Sequence, residues 1–191
     1  MAIYQFQLIV IPKEGVLNKL GFIPNKLTID YKERTEYYRL KKEEFLIDKV
    51  EFIDALIQNW WKDIEVEPIE IIKHFDKYVK RADYGNKLFI NWKYYSEKVD
   101  NDASMSIRDS AGEIETLRFR ADLREHNLKF LKSMIELANE YDWLLMDING
   151  NLVKPEFDEV VKLIKKSNSY RFLQSPTKFF DDIESGKIKI E

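Results

Sequence analysis

In the stretch "YQFQLIV", Tyr4, Phe6, Leu8 and Val10 alternate with Gln5 and Gln7. That period of two buries one face of a β-strand. A loop carrying Gly15, Gly21 and Pro24 follows, and then the spacing changes. In "YKERTEYYRLKKEEFLIDKVEFIDALIQNWW", Phe45, Phe52, Ile53, Leu56, Ile57 and Trp60 recur at three- and four-residue intervals, the stripe of an amphipathic helix. Ile72, Phe75, Val79 and Ala82 predict a second helix, opened by Pro68 and stopped by Gly85.

The period then returns to two. "KLFINWKYYS", "ASMSIR" and "EIETLRFRADLR" predict successive strands, with Asp109-Ser110-Ala111-Gly112 as a tight turn between the second and third. Leu117, Phe119, Ala121 and Leu123 share one face of the third, and Arg118, Arg120, Asp122 and Arg124 the other. "NLKFLKSMIELANEYD" predicts a helix capped by Asn127, with Leu128, Leu131, Ile135 and Ala138 turned inward. Helical pieces close the chain from Pro155 to Lys166 and from Pro176, capped by Ser175, to Ser185 before Gly186. This order argues for an α+β fold, a mostly antiparallel sheet of five to six strands with helices on one face. A single domain over residues 1–191 is expected, with residues 31–84 as a candidate helical sub-lobe.

Between the last strands, "MDINGNLVKPEFD" sets Asp147, Asn149, Asn151 and Asp158 at the first, third, fifth and twelfth places of a calcium loop. Such a loop needs glycine sixth and glutamate twelfth; here Leu152 and the shorter Asp158 stand there. Asn149-Gly150 instead predicts a two-residue hairpin turn, with Met146 opposite Val153 and Asp147 opposite Leu152. No metal is expected.

Charge is dense but nearly balanced, 31 basic against 34 acidic side chains, a net charge of −3. That balance favours neither a duplex binder nor an acidic tail. With no cysteine, disulfides, thiolate metal sites and a cysteine nucleophile are excluded. "MAIYQFQLIVIPK" lacks a basic segment before its apolar run, and no run reaches the ~18 residues of a membrane span. A cytoplasmic location without membrane attachment is the expectation. The six glycines are isolated, which excludes Walker-type and dinucleotide loops, so no cofactor is expected. His74 and His126 have no partner histidine four residues away and no zinc-protease spacing. No catalytic residue is assigned.

Two groups of residues remain as candidates for partner binding. Arg118, Arg120 and Arg124 could together grip phosphate or carboxylate groups; the alternative is an exposed face whose charges pair across strands, with glutamates such as Glu97. Trp60 and Trp61 point about 100° apart on a helix. One could stand exposed among Asp63, Glu65 and Glu67 as an anchor, or both could be buried.

The C-terminal stretch "LRFRADLREHNLKFLKSMIELANEYDWLLMDINGNLVKPEFDEVVKLIKKSNSYRFLQSPTKFF" resembles small stand-alone bacterial immunity proteins, the antidotes of polymorphic toxin systems. The likeness covers about a third of the chain and carries no catalytic signature. It implies a binder of a cognate toxin domain and assigns no residue roles. Two other readings stay open: an enzyme or small-ligand binder with a carboxylate or arginine site in a cleft, and a nucleic-acid binder using the arginine face. Against the latter, "LRFRADLR" lacks the glycines and aromatic spacing of an RNA-recognition strand.

Overall fold

The computed structural model describes residues 3–42, 51–108 and 112–188. Six strands form one antiparallel sheet: β1 (Gln5–Pro12), β2 (Phe89–Tyr95), β3 (Asp100–Ile107), β4 (Ile114–Asp122), β5 (Trp143–Met146) and β6 (Leu152–Val153), in the order β2-β3-β4-β1-β5-β6. With helices α1 (Lys13–Leu20), α2 (Tyr31–Lys42), α3 (Pro68–Asp76), α4 (Lys129–Glu140), α5 (Phe157–Lys166), α6 (Asn168–Gln174) and α7 (Pro176–Glu184), the fold is of the α+β class. β4 and β5 both run antiparallel to β1 between them, so they are parallel to each other, and α4 carries the chain across. Such a crossover needs a dozen or so residues, the length of a short helix.

Register explains how the faces divide. Trp92, Ala103, Phe119 and Leu8 lie in one row across four strands, all buried. Phe75 of α3 stacks on Trp92 with ring centroids 4.8 Å apart, and Phe130 of α4 meets Phe119 edge-on at 5.9 Å. His74 Nε2 donates to the Ser133 carbonyl at 3.1 Å, joining α3 to α4. Burial outweighs that hydrogen bond and lowers the imidazole pKa below its ordinary value. α4 buries Phe130, Leu131, Met134, Ile135, Leu137 and Ala138; each of its larger side chains contributes about 1.5–3 kcal/mol. The same apolar cluster includes Trp60, Trp61 and Ile71 from the stretch set apart in sequence as a sub-lobe.

Both outer edges of the sheet are covered. On β2, Asn86 N donates to Phe89 O, Ala82 N to Asn91 O, and Lys93 N to Lys80 O. On β6, Leu152 N donates to Asn25 O and Leu27 N to Gly150 O, with Lys26 bridged to Asn151.

Several local expectations are corrected. Phe45 lies outside the described residues, and the stretch from Phe52 to Trp60 is coil and turns rather than helix. Asp54, fully buried, accepts from Asp30 N at 2.6 Å, Leu56 N at 2.8 Å and Arg34 at 2.9 Å. A side chain that bonds nearby backbone in this way offers the chain an alternative to the helical ladder. α3 ends at Asp76, so Gly85 is not its stop. The Asp76 carboxylate turns instead to Arg81 and to Trp92 Nε1.

Asn127 does not cap α4. It has φ 61 inside a short 3-10 turn, and Glu125 Oε2 accepts from Phe130 N instead. The Ser175 hydroxyl makes no capping bond, whereas Ser167 caps α6 by accepting from Tyr170 N. In the β3–β4 connection residues 109–111 lie outside the described residues; Gly112 has φ 67.

The last hairpin is shifted by one residue from the expected register: Met146 pairs with Leu152 and Leu145 with Val153. Gly150 N donates to Asp147 O and Asp147 N to Asn151 O, closing a three-residue loop. Gly150 alone takes the left-handed backbone, at φ 83, as a glycine bulge after a type I turn requires. Asp147 directs the turn: its carboxylate accepts from Asn149 N, Asn151 N and Asn151 Nδ2.

Candidate functional site

The polar face of β2, β3 and β4 follows from the same register. Lys93, Asp102, Arg120 and Gln7 form one row across the sheet, and Asn91, Ser104, Arg118 and Ile9 the next. Arg120 therefore stands opposite a carboxylate and Arg118 opposite a hydroxyl. Arg120 grips Asp102 with two nitrogens, each at 2.7 Å. Asp102 also accepts from Gln5 Nε2 at 3.1 Å and Lys93 Nζ at 3.2 Å, and Lys93 bonds Asp100 as well. Burial alone would lower the Lys93 pKa, but hydrogen bonds and charges of Asp100 and Asp102 together raise it, holding the ammonium charged.

Arg118 donates Nε to Ser104 Oγ at 2.8 Å, and among the described residues it has no carboxylate partner. Between Arg118 and the edge strand lies a hollow of about 220 Å³ lined by Gln7, Tyr84, Asn91, Asp102, Ser104 and Arg118 among others. Asn91 is 8% exposed, and its amide nitrogen has no hydrogen-bond partner. Along the same edge Tyr84, Leu88, Phe89, Tyr94 and Tyr95 are exposed, Tyr95 the most at 72%.

The three arginines do not act together. Arg124 follows the end of β4, holds the fully buried Asp122 and lies over the Tyr4 ring at 3.9 Å. Its pKa is raised, first by the hydrogen bond to Asp122. Asp122 also accepts from Asp100 N and Arg124 N, so it is a structural knot rather than part of an open charged row. The arginines' carboxylate partners are Asp102, across the β3–β4 pair, and Asp122, two residues before Arg124 on its own segment, not Glu97.

Neither tryptophan presents an exposed ring: Trp60 is 6% and Trp61 2% exposed. Trp60 Nε1 donates to Ala55 O at 2.8 Å, and Trp61 packs edge-on against Trp143 with centroids 4.9 Å apart. No exposed anchor stands there; exposed aromatic rings occur elsewhere, Tyr84, Tyr94 and Tyr95 along the β2 edge among them. Asn91, Ser104 and Tyr84 went unnoticed in the sequence because none bears a motif. Alternation in "INWKYY" places Asn91 and Lys93 on one face, but only the pairing with β3 brings them beside Arg118.

A second hollow, of about 400 Å³, lies where β1 passes into α1, lined by Lys13, Glu14, Asp63, Glu65, Tyr141 and Asp142 among others. Lys13 and Asp142 pair at 2.7 Å in solvent. Burial raises the Tyr141 pKa, with Glu140 and Glu70 adding to it. Among the described residues no group of three or more histidines, aspartates or glutamates could hold a metal ion. No described helix is long and apolar enough to cross a membrane.

No protein-family model, curated protein or solved structure matches this chain.

Proposed function

We propose that the chain is a protein-binding module of the immunity type, which meets a cognate toxin domain with the polar face and aromatic edge of β2, β3 and β4. One observation carries this reading: a cation without a carboxylate partner among the described residues, Arg118, adjoins a polar hollow lined by the exposed Tyr84, with Tyr95 exposed further along β2. Tyrosine and arginine are the side chains that recur at the energetic centres of protein interfaces, tyrosine because it covers much area with few rotatable bonds. The floor beneath is a hydrogen-bonded sheet whose charges are fixed by Asp100 and Asp102, so little ordering opposes association. The likeness of residues 117–180 to bacterial antidotes supports the same class of partner.

The test is neutralisation. Cells expressing the toxic product of a neighbouring reading frame should survive when this chain is co-expressed, and the two proteins should form a complex of about nanomolar affinity or tighter. A folded chain that neither protects nor binds, or that turns over a small substrate, overturns the proposal.

A further inference from the structure

We infer that the hollow beside Arg118 receives a carboxylate of the protein partner, an aspartate or glutamate side chain on the surface that meets the sheet. This rests on the protein-binding reading above and gives that surface its chemistry. The argument is one of donors and acceptors. Asp102 takes two nitrogens of Arg120, one from Lys93 and one from Gln5. A carboxylate has about four lone-pair sites, so Asp102 is filled. Its charge, and that of Asp100, are matched by Lys93 and Arg120.

Among the described residues, Arg118 is the cation of this face left without a carboxylate partner. Ser104 holds it through Nε, which fixes the fork while its terminal nitrogens remain available. Asn91 also lines the hollow, and its amide nitrogen, buried beside Gly85, has no hydrogen-bond partner. Gln7 and Tyr84, also in the lining, can each donate or accept, so what decides the occupant is the charged donor Arg118, and the group that completes it is an acceptor with a single negative charge. A guanidinium fork matches a carboxylate in shape as well as charge. At about 220 Å³ the hollow is below the usual 300–1,000 Å³ of small-molecule pockets, which suits the end of a side chain. A dianionic phosphate would bring a second negative charge beside Asp102.

The experiment uses the full chain, labelled with nitrogen-15, and three probes: acetyl-glutamate amide, acetyl-glutamine amide and inorganic phosphate. The glutamate probe should shift the Arg118 Nε–H and Asn91 side-chain signals saturably, at about millimolar affinity. The glutamine probe should not. In Arg118→Gln the response should weaken at least tenfold while the backbone spectrum stays that of the folded chain. Equal response to both peptides, a response to phosphate alone, or an undiminished response in the variant overturns the assignment.

With a partner in hand, Arg118→Gln should weaken the complex by about 30-fold or more, chiefly through faster dissociation. Equal affinity of wild type and variant overturns the carboxylate occupant and leaves the protein-binding reading standing. If the hollow takes the glutamate probe but the chain is shown to bind no protein, both readings fall.

Discussion

Asp76 ties the edge of the sheet to the helix layer, and its removal has a calculable effect. The carboxylate accepts from Trp92 Nε1 at 2.8 Å and from Arg81 at 2.7 and 2.9 Å. Trp92 is fully buried, so Asp76→Ala leaves its indole N–H without an acceptor, at a cost of about 1–3 kcal/mol. The Arg81 pair is more than a third exposed on both sides and adds at most about 1 kcal/mol. A loss of about 2–3 kcal/mol is expected in urea unfolding followed by tryptophan fluorescence. Asp76→Asn keeps an oxygen for the indole and should lose about 1 kcal/mol or less.

The damage should also be local. Residues 80–82 cover β2 through the Ala82 N–Asn91 O and Lys93 N–Lys80 O bonds, so those two amides should exchange faster in Asp76→Ala while Phe119 stays protected. The pH dependence has a defined sign. Hydrogen bonds from Arg81 hold the Asp76 pKa below its usual 3.8, with Trp92 aiding and burial opposing. Its contribution is thus complete above about pH 4 and is lost as pH falls through the lower folded value. The gap between wild type and Asp76→Ala should therefore be constant at neutral pH and close in acid. Equal losses for the alanine and asparagine variants, or unchanged exchange at Ala82 and Lys93, would refute the reasoning.

Asp54→Ala removes a buried acceptor of three donors and should cost about 3–5 kcal/mol, with new proteolytic cleavage within residues 51–57; a loss under about 1 kcal/mol contradicts the role given to those three bonds. Gly150→Ala places a side chain at φ 83 with its Cβ 2.3 Å from Leu27 O, so the bond from Leu27 N to Gly150 O should break. Exchange of the Leu27 amide reads that displacement, and the left-handed backbone alone costs about 1–2 kcal/mol. Burial depresses the His74 pKa, so the unfolded chain takes up a proton before the folded one does, and stability should decline as pH drops below about 6.5. Denaturation of His74→Gln at pH values on either side should show a flatter profile.

The strands were legible because their alternation is local: Phe6, Leu8 and Val10, or Leu117, Phe119 and Ala121, declare a buried face without knowledge of a neighbour. α4 was legible for the same reason, since its stripe is long and unbroken. The Phe52–Trp60 stretch misled because its spacing is helical, yet a buried carboxylate at Asp54 outbids the ladder by bonding Asp30 and Leu56. That competition depends on a residue 24 positions away. The closing hairpin misled more subtly, because Asp147 converts an Asn-Gly pair into a longer turn and slips the register by one. At the candidate site the arginines were visible, but their fates were not. Whether Arg118 or Arg120 meets a carboxylate is decided by which β3 residue stands opposite, a fact of pairing that neither strand contains alone.

The covered rims of the sheet bear on how such a protein could change its partner. With Phe89 N and O, Asn91 O and Lys93 N of β2 already engaged by residues 80–86, a visiting protein finds no continuous ladder to extend there. On the proposed reading, recognition at that border would fall to projecting groups such as Tyr84, Tyr95 and Arg118. Exchanging them would then alter what is grasped while the framework beneath stays as it is, so selectivity would drift by single replacements without endangering the architecture.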